Sequence, residues 1–334
     1  MEKIEIKVNE LCAGVGMQLR GIQNTPCFKP NVMAISEINK DAVLAYAAVH
    51  CGLTDEMVEQ YEYPPIEEMK QYLTDINLGY IPEKDQKYDW FKNGKKHDKM
   101  VKKYWLACKL SNNLGDVTGI DMLPYADVWF LSFPCQSISV AGKLNGMSPD
   151  SGTRSSLVWQ TIRLLKKAEE TKTLPKYMML ENVKNLVGKK FIKDFNTFND
   201  LIKEFGYNVY WQVINGKDTG VPQNRERVFA IYIRDDIDKG MFTFPKPFDN
   251  GLRLKDVLEE HVDEKYYINT PKSQQLIQRL INDGIIPDEE SENKAIDLSV
   301  KQPREIDVAN CVSARTDRGI SNRQAEGSGV FEIL

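Results

Sequence analysis

Ile4-Glu5-Ile6-Lys7-Val8 alternates apolar and polar side chains and then enters a glycine-containing turn at Leu11 to Gly16. Period-two alternation predicts a strand with one face in the core. Met33 to Ser36 predicts a second short strand that ends at Glu37. Asp41 to His50, rich in Ala, Leu and Tyr, predicts a helix. The unbroken apolar runs in Asp127–Ser132 and Tyr177–Leu180 predict strands buried on both faces. Phe191–Phe205 reads as a helix and Val228–Ile233 as another strand. Strands alternating with helices predict an α/β fold with a mostly parallel, doubly wound sheet through about residue 235. Phe242 to Gly251 is a turn-rich linker, and Leu252 to Leu334 is polar with weak periodicity. The expected division is a large domain over 1–240 and a smaller one over 241–334.

A chain of 334 residues is long enough for two domains. With 42% hydrophobic and 28% charged residues, a disordered or collagen-like chain is excluded. A net charge of -4 argues against a uniformly basic nucleic-acid coat and leaves room for one local basic cleft. One stretch fits such a cleft. Ile81 to Leu110 holds nine lysines against four acidic residues, interleaved with Tyr88, Trp90, Phe91, Tyr104 and Trp105. Basic and aromatic residues together suit phosphate and base contacts. They equally suit a solvated helix pair with a few core aromatics. No run of 18 apolar residues predicts a membrane span. The N-terminus carries charges where a signal peptide has its apolar stretch. Six cysteines without a C-x-x-C pair point to a reduced, cytoplasmic protein. With three histidines and no ligand spacing, no metal site is expected.

Four short segments carry candidate chemistry. Gly14-x-Gly16 follows the first strand and removes side chains where a cofactor would lie on the backbone. The stretch reads GVGMQL and lacks the third glycine of a dinucleotide fingerprint. Glu37 lies 23 residues after Gly14, at the end of the second predicted strand, where a carboxylate can hold a ribose diol. Asp116 can accept from an adenine amino group. Together these suit a nucleoside cofactor without a pyrophosphate, such as S-adenosyl-L-methionine, although Glu37 also reads as a plain surface acid. Phe133-Pro-Cys-Gln-Ser137 places Cys135 in the loop beyond a buried strand, where dipoles and nearby cations can activate a thiol. An inert buried cysteine is the plainer alternative. Glu181-Asn-Val183 sets a carboxylate just past another strand, fit to donate a proton to a ring nitrogen. In Gly220 to Val228, Arg225 and Arg227 are two apart at the start of a strand and are expected to point to one side. Two such guanidiniums can hold a phosphate or a base carbonyl.

The sequence closely resembles the DNA cytosine-5 methyltransferases of bacterial and phage restriction-modification systems. The likeness rests on Glu10-Leu-Cys-Ala-Gly-Val-Gly16, Ser132-Phe-Pro-Cys-Gln-Ser137, Thr153-Arg-Ser-Ser-Leu157, Glu181-Asn-Val183 and Gln223-Asn-Arg-Glu-Arg227, which follow in the family order over residues 8 to 233. It implies the S-adenosylmethionine-dependent methyltransferase fold and a smaller C-terminal target recognition domain. It implies that Cys135 is the nucleophile, Glu181 the acid, and Arg225 and Arg227 supporting catalytic residues. Cys12, Gly14, Gly16, Glu37, Asp116, Pro134 and Leu157 would line the S-adenosyl-L-methionine pocket. Gln136, Asn182, Gln223, Arg304, Arg315 and Arg318 would meet the substrate, with Arg323 nearby. The loop from Ser137 to Ser151 resembles a lid that closes on DNA. Two positions depart from the family, which has an aromatic residue at Cys12 and a second glycine at Met17.

The implied reaction is methyl transfer to C5 of a cytosine flipped out of a specific double-stranded DNA sequence. The implied setting is cytoplasmic and nucleoid-associated, with a monomeric enzyme. The family continues past its recognition domain with a basic motif and a helix that returns to the catalytic domain. Neither follows Val330 to Leu334, so the recognition domain is expected to be incomplete or a second polypeptide to supply the remainder. Three other readings stay open: an RNA or tRNA cytosine-5 methyltransferase, a nicotinamide dehydrogenase, and a non-catalytic DNA-binding module.

Overall fold

The computed structural model describes residues 2–135, 137–138, 148, 153–259, 262–287, 294–298, 300, 302–310 and 328–331. The chain divides into two compact units, one of Met1–Gln212 with Val228–Phe242, the other of Val213–Arg227 with Thr243–Leu334. The expected boundary at 240/241 is close to the last of the three crossings, after Phe242. An excursion of the chain between two strands, carrying Gln223, Arg225 and Arg227, belongs with the second unit.

Unit 1 begins with β1 (Ile4–Leu11), α1 (Met17–Gln23), β2 (Phe28–Ser36) and α2 (Lys40–Cys51). Helices α3 (Asp55–Gln60), α4 (Ile66–Asp75) and α5 (Lys95–Leu110) follow. Then come β3 (Val128–Leu131), α6 (Gln160–Glu170), β4 (Tyr177–Val183), α7 (Ile192–Glu204) and β5 (Tyr207–Asn215). After the two-residue β6 (Gln223–Asn224), β7 (Glu226–Arg234) returns to the sheet. The strand order is β2-β1-β3-β4-β7-β5, and β1 pairs in parallel with both β2 and β3, as β3 does with β4. All four residues of β3 are buried, as expected for a strand covered on both faces. β1 and β2 each run several residues further than the apolar pattern suggests. The added residues are buried Asn9, Glu10 and Leu11 in β1, and half-buried or exposed residues from Phe28 to Val32 in β2. The helix predicted from Asp41 is closed at its start by Asn39, whose side chain accepts from the amides of Asp41 and Ala42.

The basic, aromatic stretch contributes core aromatics and a single α-helix, α5. Trp90 and Tyr104 are buried in a core with Val43 and Ala47 of α2, Leu73 of α4 and Val101 of α5. The Trp90 indole donates to the Leu78 carbonyl at 2.9 Å. Tyr88 and Trp105 are partly buried against the same core, and Phe91 is exposed. Lys99 and Lys103 pair with Glu59 and Asp55 of α3, at 2.9 and 2.7 Å. Those acids lie outside the stretch in sequence, so its positive balance is partly neutralised on folding.

Unit 2 holds α8 (Pro271–Asn282), begun by Thr270 as cap and Pro271 in the first turn. Its small core is Leu276, Leu280, Ile286 and Ile296. β8 (Lys294–Asp297) lies between β9 (Arg304–Glu305) and β11 (Ser328–Phe331), antiparallel to both. β10 (Ala309–Asn310) pairs with β6. Among the described residues no helix is long and apolar enough to cross a membrane.

Candidate active site

The sheet of unit 1 reverses its winding between β1 and β3, because β1 connects onward to β2 on one side while β3 lies on the other. Open α/β sheets place ligands beyond the carboxyl ends of strands at such a point. Leu11 is paired with Leu131, and Leu131 with Leu180, so the pairing among the three strands stops at one level, with β4 running on past it. The amide of Ser132 donates to the Leu11 carbonyl at 3.1 Å and ties the first two exits together. The segments singled out in the sequence at Cys12–Gly16, Phe133–Cys135 and Glu181 therefore leave one edge side by side.

On the β1–β2 half, the turn after β1 is left-handed at Cys12, Gly14 and Gly16, with φ of 55°, 57° and 75°. A Cβ on Gly16 would sit 2.5 Å from His50 Nε2 and 2.6 Å from Tyr46 Cε2, so only glycine fits. A Cβ on Gly14 would meet nothing within 4 Å, and that open face is where a ligand can lie on the backbone. The Glu37 carboxylate accepts from the Gly14 amide at 2.8 Å and from the Asn39 amide at 2.7 Å. It thus pins the glycine turn as well as standing at the end of β2. Asn113, buried, accepts from the amides of Glu37 and Gly115, both at 3.0 Å, and donates to the Glu37 carbonyl at 2.9 Å. This brings Asp116 to the same edge. Asp116 caps a short turn by accepting from Thr118 and takes a hydrogen bond from the Asn77 amide side chain at 3.2 Å. Arg163 of α6 holds that turn from behind, donating to the carbonyls of Ile120 at 2.7 Å and Val117 at 2.9 Å.

Under the glycine turn lies a buried carboxyl. Glu10, 1% exposed, accepts from the Tyr46 hydroxyl at 2.6 Å and the Leu19 amide at 3.3 Å. Burial pushes its pKa from 4.5 up to about 7, against the lowering by those two donors. Burial, then the charge of Glu10, holds the Tyr46 phenol far above its ordinary value. His50 bonds the Val15 carbonyl through Nε2 at 3.0 Å and stacks beside Tyr46 at 4.8 Å between centroids.

On the β3–β4 half, Cys135 is half-buried with no disulfide partner. The turn that carries it is bonded on every side. Asn182 Nδ2 donates to the Phe133 carbonyl at 3.0 Å. The Ser155 hydroxyl donates to the Pro134 carbonyl at 2.7 Å and accepts from the Ser137 amide at 3.3 Å. The Ile138 amide donates to the Cys135 carbonyl at 3.0 Å, and Asn185 Nδ2 donates to the Ile138 carbonyl at 2.6 Å. β4 runs on to Val183, so Glu181 lies within the strand rather than past its end, though beyond the last β3 partner. Strand alternation puts half-buried Glu181 and buried Asn182 on opposite faces. Asn182 was expected at the substrate. Its amide is instead spent inside the fold, on the Phe133 carbonyl and on the Val183 amide, which it accepts at 2.9 Å. Leu157, half-buried, lies in the turn Arg154–Trp159 that Ser155 ties to Pro134.

Gln223, Arg225 and Arg227 belong to unit 2, where β6 pairs with β10. Asn215 accepts from the Arg225 amide at 2.9 Å. β7 starts at Glu226, so the expected same-side alternation of the two arginines reaches Arg227 and not Arg225. Arg227 donates to the Glu226 carbonyl at 2.8 Å. Arg304 is on β9, its guanidinium 4.0 Å from Asp297. Gln136, Arg315, Arg318 and Arg323, and most of the loop read as a lid, lie outside the described residues.

Sequence reasoning missed Asn113, Ser155, Arg163 and Asn185. Each is a supporting side chain that bonds backbone far away in the chain, and nothing local marks it. Ser155 stood inside the motif Thr153–Leu157 and Asn185 two residues after Glu181-Asn-Val183, but neither motif marked the bond that its side chain makes.

Residues 84–324 match the family model of the C-5 cytosine-specific DNA methylases. The type II methyltransferase M2.ScrFI of Lactococcus lactis subsp. cremoris is 40% identical over 271 residues, covering 79% of this chain and 70% of that protein. The orphan methyltransferase M.SssI of Spiroplasma monobiae is 30% identical over 279 residues, covering 80% and 70%. In fold, the methyltransferase EhMeth of Entamoeba histolytica aligns over 97% of this chain and 75% of its own, with a TM-score of 0.52 at 14% identity. The motif order at one sheet edge, the family model and the two bacterial relatives agree, and the chain belongs to the C-5 cytosine-specific DNA methylases as a DNA cytosine-5 methyltransferase.

Proposed function

We propose that the chain methylates C5 of a cytosine flipped out of a specific double-stranded DNA sequence, through a covalent bond between Cys135 and C6. The observation that carries this reading is the shared level at which pairing stops at Leu11, Leu131 and Leu180, next to which stand the Gly14–Glu37 half and the Cys135–Glu181 half. The residues present fit a nucleoside cofactor. Gly14 leaves open space over the backbone, and Glu37 offers a carboxylate at the end of β2. Gly14, Gly16, Glu37 and Asp116 would hold S-adenosyl-L-methionine, with Cys12, Pro134 and Leu157 around it. When bound, it supplies an electrophilic methyl group.

C5 of cytosine is a poor nucleophile, and the protein's work is to change that. The Cys135 thiolate adds to C6 and turns C5 into the carbon of an enamine. Glu181 donates to N3 and stabilises the charge that develops on the ring. After C5 has taken the methyl group, a base removes the C5 proton. The electron pair reforms the C5–C6 double bond and expels Cys135 as thiolate. Neither ring carbon is reachable inside a duplex, which is why base flipping is part of the proposal. By family resemblance Arg225 and Arg227 support the reaction. Unit 2, with Gln223 and Arg304, is assigned to target recognition.

The test is transfer of tritiated methyl groups to unmethylated duplex DNA, with tRNA as the competing substrate. Duplex DNA is expected to be labelled as 5-methylcytosine. Cys135→Ser is expected to abolish transfer while DNA binding persists. An active Cys135→Ser enzyme overturns the mechanism, and labelling of tRNA alone overturns the substrate.

A further inference from the structure

The turn around Cys135 is closed by a hydroxyl from elsewhere in the chain. The Pro134 carbonyl, one residue before the thiol, and the Ser137 amide, two residues after it, are bonded to the same oxygen, Ser155 Oγ. Ser155 is fully buried, at 0% exposure. Its hydroxyl therefore acts where an ordered water would otherwise be needed, satisfying one acceptor and one donor that face each other across Cys135. The far end of the turn is held in the same manner. Asn185, four residues after Glu181, donates to the Ile138 carbonyl at 2.6 Å, and the Ile138 side chain is itself buried at 0% exposure. The backbone on both sides of the thiol is thus set by two side chains, each from a segment that carries another part of the site. Ser155 comes from the turn of Leu157, and Asn185 from the short helical turn Lys184–Val187 that follows β4.

We propose that Ser155 is a positioning residue for the Cys135 nucleophile, assisted by Asn185. Its hydroxyl fixes the angle at which the thiol approaches C6 relative to the carboxylate of Glu181. This rests on the reading of Cys135 as nucleophile. Without the hydroxyl, the Pro134 carbonyl and Ser137 amide are left to close on each other directly or to remain unsatisfied, and either outcome moves the thiol. Misplacing a reacting atom by about 1 Å costs on the order of a hundredfold in rate.

The experiment uses the full chain and a PCR-made duplex in which every dC is 5-fluoro-dC. On such DNA, Cys135 adds to C6 and C5 accepts the methyl group, but the fluorine cannot leave as the proton does, so the adduct survives denaturing gels. Ser155→Ala is expected to slow adduct formation and kcat together by at least about tenfold. Affinities for S-adenosyl-L-methionine and for unmodified duplex should fall far less than kcat, because the hydroxyl bonds only the Pro134 carbonyl and the Ser137 amide and none of Gly14, Gly16, Glu37 and Asp116. Ser155→Gly leaves room for a water between the same two backbone groups and is expected to recover several-fold over Ser155→Ala. Ser155→Ala forming adduct at the wild-type rate overturns the proposal, as does a loss confined to cofactor or DNA affinity. Should Ser155→Ala not fold, Asn185→Ala reads the same turn through Ile138, with the same two outcomes. Cys135→Ala separates the two readings. Adduct formed by that variant would sink the nucleophile assignment itself, whereas its absence, with Ser155→Ala at full rate, sinks only the role of Ser155.

Discussion

Glu10→Gln should make the stability of unit 1 less sensitive to pH. The wild-type carboxyl is buried beneath the glycine turn and titrates at about 7 in the folded chain, against 4.5 for the ordinary group. A folded pKa above the unfolded one means that the folded chain binds the proton more tightly. Its relative stabilisation is fully present below about pH 4.5 and is lost as the pH rises to about 7. At 1.36 kcal/mol per unit, the whole effect is about 3 kcal/mol, and the part falling between about pH 5.5 and 8 is about 2 kcal/mol. Glutamine keeps the size of the side chain and an oxygen for the Tyr46 hydroxyl or the Leu19 amide, but carries no titrating proton. The assay is urea unfolding of both proteins at the two pH values, followed by the fluorescence of the tryptophans, of which Trp90 and Trp129 are buried in unit 1. Titration of every other group cancels in the difference between wild type and variant. That difference should move in favour of the variant by about 2 kcal/mol from the acid to the alkaline condition. A difference that stays constant within about 0.5 kcal/mol would show that Glu10 is ionised in the folded chain at both pH values, and would refute the argument from burial.

Gly16→Ala puts a Cβ 2.5 Å from His50 Nε2 at a φ of 75°, so the turn must shift. Binding of S-adenosyl-L-methionine, read by calorimetry, should weaken at least about tenfold, the left-handed strain alone costing about 1–2 kcal/mol. Asn113→Ala strands the buried backbone groups of Glu37 and Gly115 that Asn113 now satisfies. A fall in stability of about 3 kcal/mol is expected in thermal unfolding, with the KM for S-adenosyl-L-methionine rising because Glu37 is no longer held. Lys99→Ala and Lys103→Ala break exposed pairs with Glu59 and Asp55. Each should leave stability nearly unchanged in thermal unfolding and the salt dependence of DNA binding unaltered, whereas a phosphate contact would lower that slope by about one per lysine.

The apolar pattern was enough for the central elements because they are buried for their own composition. β3 reads as a strand from Val128-Trp-Phe-Leu131 alone, and its position in the middle of the sheet is why no polar residue interrupts it. The motif residues were legible for a related reason. Gly16, Cys135 and Glu181, the candidates of the sequence, each stand in a short motif at or near the end of strand pairing, so they are read locally. The basic stretch was ambiguous because charge counted along the chain omits the acids of α3 that folding brings against it. Asn182 was misplaced because a motif names a residue without saying which face of the strand it takes.

By itself, then, the sequence determined the strand–helix alternation and the family, and it singled out the candidate reacting groups, since these depend on periodicity and on residue type at short range. Only the tertiary structure decided that Gly14, Glu37, Cys135 and Glu181 stand at one edge, that Glu10 is a buried acid, and that Ser155, Asn185, Asn113 and Arg163 hold the edge together. Those facts depend on hydrogen bonds between residues as far apart in the chain as Leu11 and Ser132. Such a bond satisfies a backbone group buried by packing, and the need for it does not exist until the chain has folded.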